Sequence, residues 1–483
     1  MHDGCASARW RKGWRRSCDE RDSSAERRPS RSCVIEFAFR GKCSKKRSYC
    51  GTSCGPNTFV GMGSVLEYTD HSLFGTAARR DRRVALANAA LESVWRRGWA
   101  TPPCLDSASL RSAAKAATGL SDFGSDDGWG ERLERLSLSL RDEAALTALG
   151  TTMAHGQLVA ALANRLRGTA MVKRHPDIAR VSIRSPIIIV GQMRSGSTRM
   201  QRLLACDPRL SFTRFFESWN PLPRRPRLPV DDRWLRGWLA LRVAHSLNPK
   251  FKVIHPVGSD QADEEIGLLN IALHGAAFEA QWRVPSFARH CELSDARPVY
   301  AEFRRHLQVI KWQRNDSRER PWILKVPQFS QDLDAVLQTF PDARLIVLHR
   351  DPGQVVASSA SLVQNQMQVQ SDSVDPKWIG QEWLRKISLR SHRTRWARAQ
   401  HDVPSVDVAY EDMRADWRFE MERVYAMLGL PLTRDVGQRM ARFMSKRGHR
   451  RLDRHRYDLA DFGLTARQVD QALIHPRADT VAA

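Results

Sequence analysis

The stretch Ile187-Ile188-Ile189-Val190-Gly191-Gln192-Met193-Arg194-Ser195-Gly196-Ser197-Thr198 decides the fold. A short run of β-branched residues reads as a strand covered on both faces. It feeds a glycine-bounded loop, and the loop opens a helix whose buried face is Met200, Leu203 and Leu204, spaced i, i+3, i+4. Strand, tight loop and helix N-terminus together hold a phosphate. Loop N–H groups point inward, and the first helical turn adds its partial positive charge. A Walker A loop, G-x-x-x-x-G-K-[ST], places a lysine against the β- and γ-phosphates. Here the spacing from Gly191 to Gly196 is kept, but Ser197 stands where that lysine belongs. The loop suits a nucleotide phosphate without a triphosphate tail.

Working outward, 483 residues are enough for a large core, and 42% hydrophobic content is that of an ordinary soluble chain. No stretch approaches the ~20 uninterrupted apolar residues of a membrane span. No apolar leader segment is visible at the N-terminus, so the expected location is cytoplasmic. The net charge of +24 favours anionic ligands, whether nucleotides, nucleic acid or an anionic membrane face. Six of the nine cysteines (Cys5, Cys18, Cys33, Cys43, Cys50 and Cys54) crowd the start of the chain. Cys104, Cys206 and Cys291 are widely spaced, so the core reads as reducing and free of disulfides. Cys50 and Cys54 could share a metal, but no second close pair completes a zinc site, and no metal is expected.

Residues 1–61 are rich in Arg, Lys, Ser and Cys and cannot bury enough apolar surface to fold alone. They read as a disordered basic tail, with Met62 as an alternative start. Residues 62–180 read as a helical N-terminal region, with apolar residues at helical spacing in Leu86–Val94, Glu131–Leu140 and Leu146–Leu166. An α/β domain follows over 181–475, and 476–483 form a tail. Its strands are expected near 186–190, 321–326, 344–348 and 405–409. Strands alternating with helical patterns imply a parallel sheet flanked by helices. Pro221–Pro229 reads as an irregular Pro/Arg-rich lid or surface loop.

Two further stretches carry chemistry. In Arg344-Leu-Ile-Val-Leu-His-Arg-Asp-Pro-Gly, a buried strand ends in His349-Arg350. Asp351 suits a helix N-cap and Pro352 the first helical position. Ligands of open parallel sheets bind beyond the carboxyl ends of the strands. Arg350 stands at such an end, with the Ser358 hydroxyl on the following helix, a good clamp for a second phosphate. In Trp322-Ile323-Leu324-Lys325-Val326-Pro327, a lysine ends an apolar strand, a cation aimed at charge that develops during group transfer.

Together these stretches resemble the sulfotransferase superfamily, most closely its bacterial branch that shares features with tyrosylprotein sulfotransferases. The resemblance runs over about residues 105 to 475. It includes Ala117-Thr-Gly-Leu-Ser-Asp-Phe-Gly, Arg194-Ser-Gly-Ser-Thr, Phe216-Glu217-Ser-Trp-Asn-Pro, Asp263-Glu264-Glu265, Leu324-Lys-Val-Pro, His349-Arg-Asp-Pro and His455-Arg-Tyr-Asp-Leu-Ala-Asp-Phe-Gly-Leu. It implies a P-loop-like α/β fold and the co-substrate 3′-phosphoadenosine 5′-phosphosulfate, with no metal. By position, Arg194, Ser195, Gly196, Ser197 and Thr198 would hold the 5′-phosphosulfate, and Arg350 with Ser358 the 3′-phosphate. Lys446, Arg447 and Gly448 would close over the nucleotide. Lys325 would contact the bridging and sulfuryl oxygens. The missing Walker lysine fits such a donor, which has no β- or γ-phosphate.

An acceptor hydroxyl or amine would attack sulfur in line, with positioning and electrostatics dominant. Glu217 matches the family's glutamate and is the expected general base, with His255 as the alternative. The acceptor is expected to be a small molecule, carbohydrate or lipid, shaped by the Pro221–His255 insert and residues 363–385. Oligomeric state is not legible. The chain departs from the family in reading Pro327-Gln328-Phe329 where Pro-Gln-His is common, which removes a polar contact. It also has Gly196-Ser197-Thr198 where Gly-Thr-Thr is common, which keeps the hydroxyl. Two other readings compete. Ser197 in place of the lysine argues against a P-loop kinase or NTPase. The absence of an aromatic-basic RNA motif or reading helix argues against a nucleic-acid-binding protein, so no nucleic-acid partner is expected for the core.

Overall fold

The computed structural model describes residues 81–224, 231–254, 256–316, 318–448 and 457–474, all within the unit Glu67–Ala483. The basic tail, Met62, His255 and the last nine residues lie outside the described residues. The sheet strands are β1 (Ile187–Val190), β2 (Ser211–Phe212), β3 (Trp322–Lys325), β4 (Arg344–His349) and β5 (Ser405–Ala409). All are parallel, in the order β2-β3-β1-β4-β5. Four of them stand where the apolar runs place them. The two-residue β2 is too short to leave a periodic signal.

Side chains alternate across each strand, and both faces of the central strands β1, β3 and β4 are covered, while the edge strand β5 leaves Ser405 and Asp407 exposed. Ile188, Val190, Leu324, Leu345 and Val347 pack against the helix Arg297–Arg314 and the helix Leu333–Thr339. Ile187, Ile189, Ile323, Ile346 and Leu348 pack against the helix Ser197–Leu204 and the helix Trp417–Met427. The period of two therefore sends Lys325, two residues past Ile323, to the face that holds the start of the Ser197–Leu204 helix.

The N-terminal helical region is present as Arg82–Arg96, Ser107–Thr118, Trp129–Asp142 and Ala148–Arg174. Its boundaries are those of ordinary caps. Asp106 accepts from the Ser109 N–H at 2.8 Å, and Gly119 closes the same helix in the left-handed region. These helices do not cover the sheet directly. Leu110, Leu133, Leu136, Leu158 and Leu162 share a separate core with Phe278, Trp282 and Phe287. The long helix Pro376–Gln400 is tied to that layer by buried ion pairs, Arg385 with Glu292, and Lys386 with Glu279 and Glu292. Phe329, which stands in place of a common histidine, is fully buried against Tyr300 and Phe303. The position has become part of the core. The segment 363–385, expected to contribute loops, is mostly the end of the helix Pro352–Gln370 and the start of Pro376–Gln400.

One joint sets the position of the acidic segment 263–265. The Ser218 hydroxyl donates to the Glu264 carbonyl at 2.8 Å and accepts from the Gly267 N–H at 3.0 Å. A Cβ on Gly267 would lie 2.3 Å from the Ser218 carbonyl oxygen, a backbone atom. Gly267→Ala should therefore lower stability by about 1–3 kcal/mol, the usual cost of overpacking, read as a shift of the urea midpoint at unchanged slope.

Candidate active site

The strand order brings three separate pieces of sequence to one edge. β1 lies between β3 and β4, so their carboxyl ends adjoin. The register pairs Ile189 with Lys325 and Val190 with Val347. The connections diverge on either side of β1, the switch point at which open α/β sheets bind ligands.

The loop after β1 is tightly wound. Arg194 (φ 70°) and Gly196 (φ 92°) both occupy the left-handed region. The Ser195 Oγ donates to the Gln192 carbonyl at 2.7 Å, and the Gly191 N–H donates to the Ser330 Oγ at 3.2 Å. Glycine is required at 196 twice over, since a Cβ there would also meet the Tyr410 ring at 3.0 Å. At Arg194 a non-glycine residue is held in a conformation that costs ~1–3 kcal/mol, and neighbours on the connection after β4 pin it there. Its Nε donates to the Ser358 Oγ at 3.1 Å, and its carbonyl accepts from Arg350 Nη1 at 2.6 Å. The β1 loop and the β4 connection thus form one unit.

Arg350 is held between Gln354, to which it donates at 2.9 Å, and the Tyr410 ring, whose centroid is 4.3 Å away. Its buried Nε has no hydrogen-bond partner among the described residues. Burial first, and the neighbouring charge of Arg350 to a smaller degree, hold the Arg194 guanidinium below its ordinary pKa. Asp351 and Pro352 start the Pro352–Gln370 helix as N-cap and first residue, the Asp351 carboxylate accepting from the Gln354 N–H at 2.8 Å. Ser358 is buried on that helix.

Lys325 is 1% exposed. Its ammonium donates to the Thr198 Oγ1 at 3.2 Å and is ion-paired with Glu264. Behind it, the Glu265 carboxylate accepts from the Lys325 backbone N–H at 2.8 Å. Arg194, Ser195, Gly196, Ser197, Thr198, Lys325, Arg350 and Ser358 are therefore in one place. Lys446 is exposed on the helix Arg434–Gly448; the side chains of Arg447 and Gly448, like His255, lie outside the described residues.

Glu217, the expected general base, sits in an ion pair with Arg314. It is 1% exposed, and both carboxylate oxygens are engaged. Arg314 Nε donates to one at 2.8 Å, and Arg314 Nη2 pairs with the other, which also accepts from the Arg214 N–H at 2.9 Å. The same guanidinium donates to Ser211 and Phe212 of β2. A carboxylate tied on both oxygens to a half-buried arginine anchors the edge strand. Sequence reading passed over two residues of this site. Glu264 was legible only as one of three adjacent acids. Tyr410 gave no signal, because its place beside Arg350 follows from β4–β5 pairing, in which His349 aligns with Ala409.

The fold is a parallel α/β sheet with a cluster of cations at its carboxyl edge and a serine, Ser197, in place of a Walker lysine. Residues 186–434 match the model of the Sulfotransferase family. The structure is similar to that of sulfotransferase STF1 from Mycobacterium tuberculosis H37Rv, at 31% identity and a TM-score of 0.67, over 77% of this chain and 99% of that one. It is also similar to sulfotransferase STF9 from Mycobacterium avium, at 25% identity and a TM-score of 0.68, over 76% and 95%. No curated protein matches the chain. The chain belongs to the sulfotransferase family.

Burial pushes the Glu265 carboxyl up to about 8 from an ordinary 4.5. A carboxyl raised in the folded state gives stability that is full below the unfolded value. That stability falls as pH rises and is lost once pH passes about 8. The melting temperature should therefore decline from pH 5 to 9 (about the window between the two values), and Glu265→Gln should flatten that decline, as measured by thermal melts across the range.

Proposed function

We propose that this chain transfers a sulfuryl group from 3′-phosphoadenosine 5′-phosphosulfate to a hydroxyl or amine of a small-molecule, carbohydrate or lipid acceptor. The observation that carries the reading is the junction of Arg194, Ser358 and Arg350, which makes one cationic cradle from two distant motifs. The buried Arg350 Nε, with no partner among the described residues, fits an anion better than it fits a structural role. Ser197 in place of a Walker lysine suits a donor without a triphosphate.

In this reading the first-turn N–H groups at Ser197 and Thr198, which have no intrahelical acceptor, bind the 5′-side anion. Arg350 and Ser358 bind the 3′-phosphate, with Arg350 fixed by its stack on Tyr410. The donor supplies an activated sulfuryl group and a phosphate leaving group. Lys325, buried and oriented by Thr198, neutralises charge on the leaving oxygen. When Lys325 turns to that charge, Glu264 is released from its ion pair. The Glu264 carboxylate, 14% exposed, is then the base that takes the acceptor proton.

Calorimetric titration of adenosine 3′,5′-bisphosphate without Mg²⁺ tests the cradle. Wild type should bind, and Arg350→Ala should weaken binding by about tenfold or more, the loss of a charge-assisted clamp. No binding by a folded sample would sink the donor reading. With an acceptor from a screen, Glu264→Gln should lower kcat by about a hundredfold or more. Glu217→Gln should instead lower Tm and leave the kcat of the folded enzyme nearly unchanged. The reverse pattern would restore Glu217 as the base.

A further inference from the structure

On the helix Asp232–Leu247, Arg233 and Arg236 turn inward beside the buried Gly237 and Leu241. Arg236 donates to Asn220 at 2.8 Å and to the Leu222 carbonyl at 2.7 Å, and pairs with Asp232. Arg233 donates to the Pro221 carbonyl at 3.2 Å. Gly237 lets the helix lie close against Phe216, where a Cβ would meet the Phe216 Cβ at 2.9 Å. Its outward face is apolar, with Trp234, Leu235, Trp238, Leu239 and Val243 each between 39% and 50% exposed. Spacings of one, four and five residues make them one stripe along a helix about 24 Å long. A contiguous apolar patch of this kind marks an interaction surface.

We propose that this face docks the protein onto an anionic lipid surface, the helix lying in the interface with its stripe among the acyl chains. Charge selects the occupant. Between residues 233 and 259 the chain carries five Lys or Arg and no Asp or Glu, and of these Arg233 and Arg236 are paired with Asp231 and Asp232. Arg242 is exposed and lies over the Trp238 ring at 5.2 Å. Lys250 is exposed just beyond the helix, and Arg83 donates to the Ser246 carbonyl at its end. The nearby carboxylates are already engaged, Asp231 by Arg233 and Asp260 by the Trp234 indole N–H at 2.7 Å. A second copy related by a twofold axis would set these cations against their own kind, whereas anionic headgroups complement them. Tryptophan stacked near the polar boundary, as Trp234 is on Trp238, suits the same interface. Among the described residues no helix is long and apolar enough to cross a membrane, so the contact is with a surface. The inference concerns a surface and does not depend on the donor or acceptor.

The test is flotation of the full chain with vesicles of equal parts phosphatidylcholine and phosphatidylglycerol at physiological salt. The variant Leu235→Gln/Trp238→Gln/Leu239→Gln/Val243→Gln changes only exposed positions. Phe419→Gln, an exposed apolar residue on another helix, is the control. Both keep the basic N-terminal segment, so their difference reports the helix face. The face variant should lose about tenfold or more in partitioning, and the control should not. Brominated phosphatidylcholine should quench wild-type tryptophan fluorescence, and Trp238→Phe should reduce that quenching. This readout needs no folded quadruple variant. Vesicle binding that the face variant leaves intact, or no quenching at all, overturns the proposal. A dimer that the face variant converts to monomer, with vesicle binding unchanged, overturns it in favour of a second copy.

Discussion

Parallel pairing of β1 with β3 on one side and β4 on the other governs the rest of the structure. In a parallel sheet every strand ends at the same edge, and each crossover must pass over a face to return. The residue after each strand is therefore delivered to one edge whatever the length of the connection. Residues 190, 325 and 350 are far apart in the chain and adjacent in space for that reason alone. The same crossovers bury both faces of the central strands, which is why β1 and the middle of β4 are apolar without alternation, whereas the edge strand β5 alternates.

That edge gathers positive charge. Arg194, Lys325 and Arg350 meet there, with Glu264 as the acid paired with Lys325. Cations are costly to collect in a partly desolvated place unless something compensates them. Glu264 compensates Lys325, and the Tyr410 ring faces Arg350. The left-handed Arg194 shows how firmly the cluster is held, since two partners on the β4 connection fix its side chain and its carbonyl. Under the proposed function, a loop strained and clamped in this way would need little rearrangement to receive the donor's anion.

The acid cluster shows where reading by resemblance stops. Glu217 and Glu264 are both acids on short segments before β3. The first is tied on both oxygens to Arg314 and serves the attachment of β2. The second reaches Lys325 because Ser218 grips its carbonyl and Gly267 allows close approach. Nothing local separates them. Their difference is which cation lies across from each, and that cation comes from a helix or strand distant in the chain. The outward apolar stripe of the Asp232–Leu247 helix was equally illegible. Its pattern of Trp, Leu and Val reads as a buried face, and only the packing of Gly237 on Phe216 shows which side turns out.

Sequence alone determined the parallel α/β class and four of its strands. β-branched runs without polar alternation signalled covered strands. The glycine-bounded loop signalled a phosphate-type turn, and Asp351-Pro352 marked a helix start that the structure bears out. These are local effects, set by backbone sterics, capping and hydrophobic period, and they act within a few residues. Tertiary structure alone decided the short strand β2, the partner of each buried acid, the stack of Tyr410 on Arg350 and the direction of the exposed helix face. Each depends on contacts between segments tens or hundreds of residues apart, whose free energy comes from burial and charge pairing that exist only once the sheet has closed.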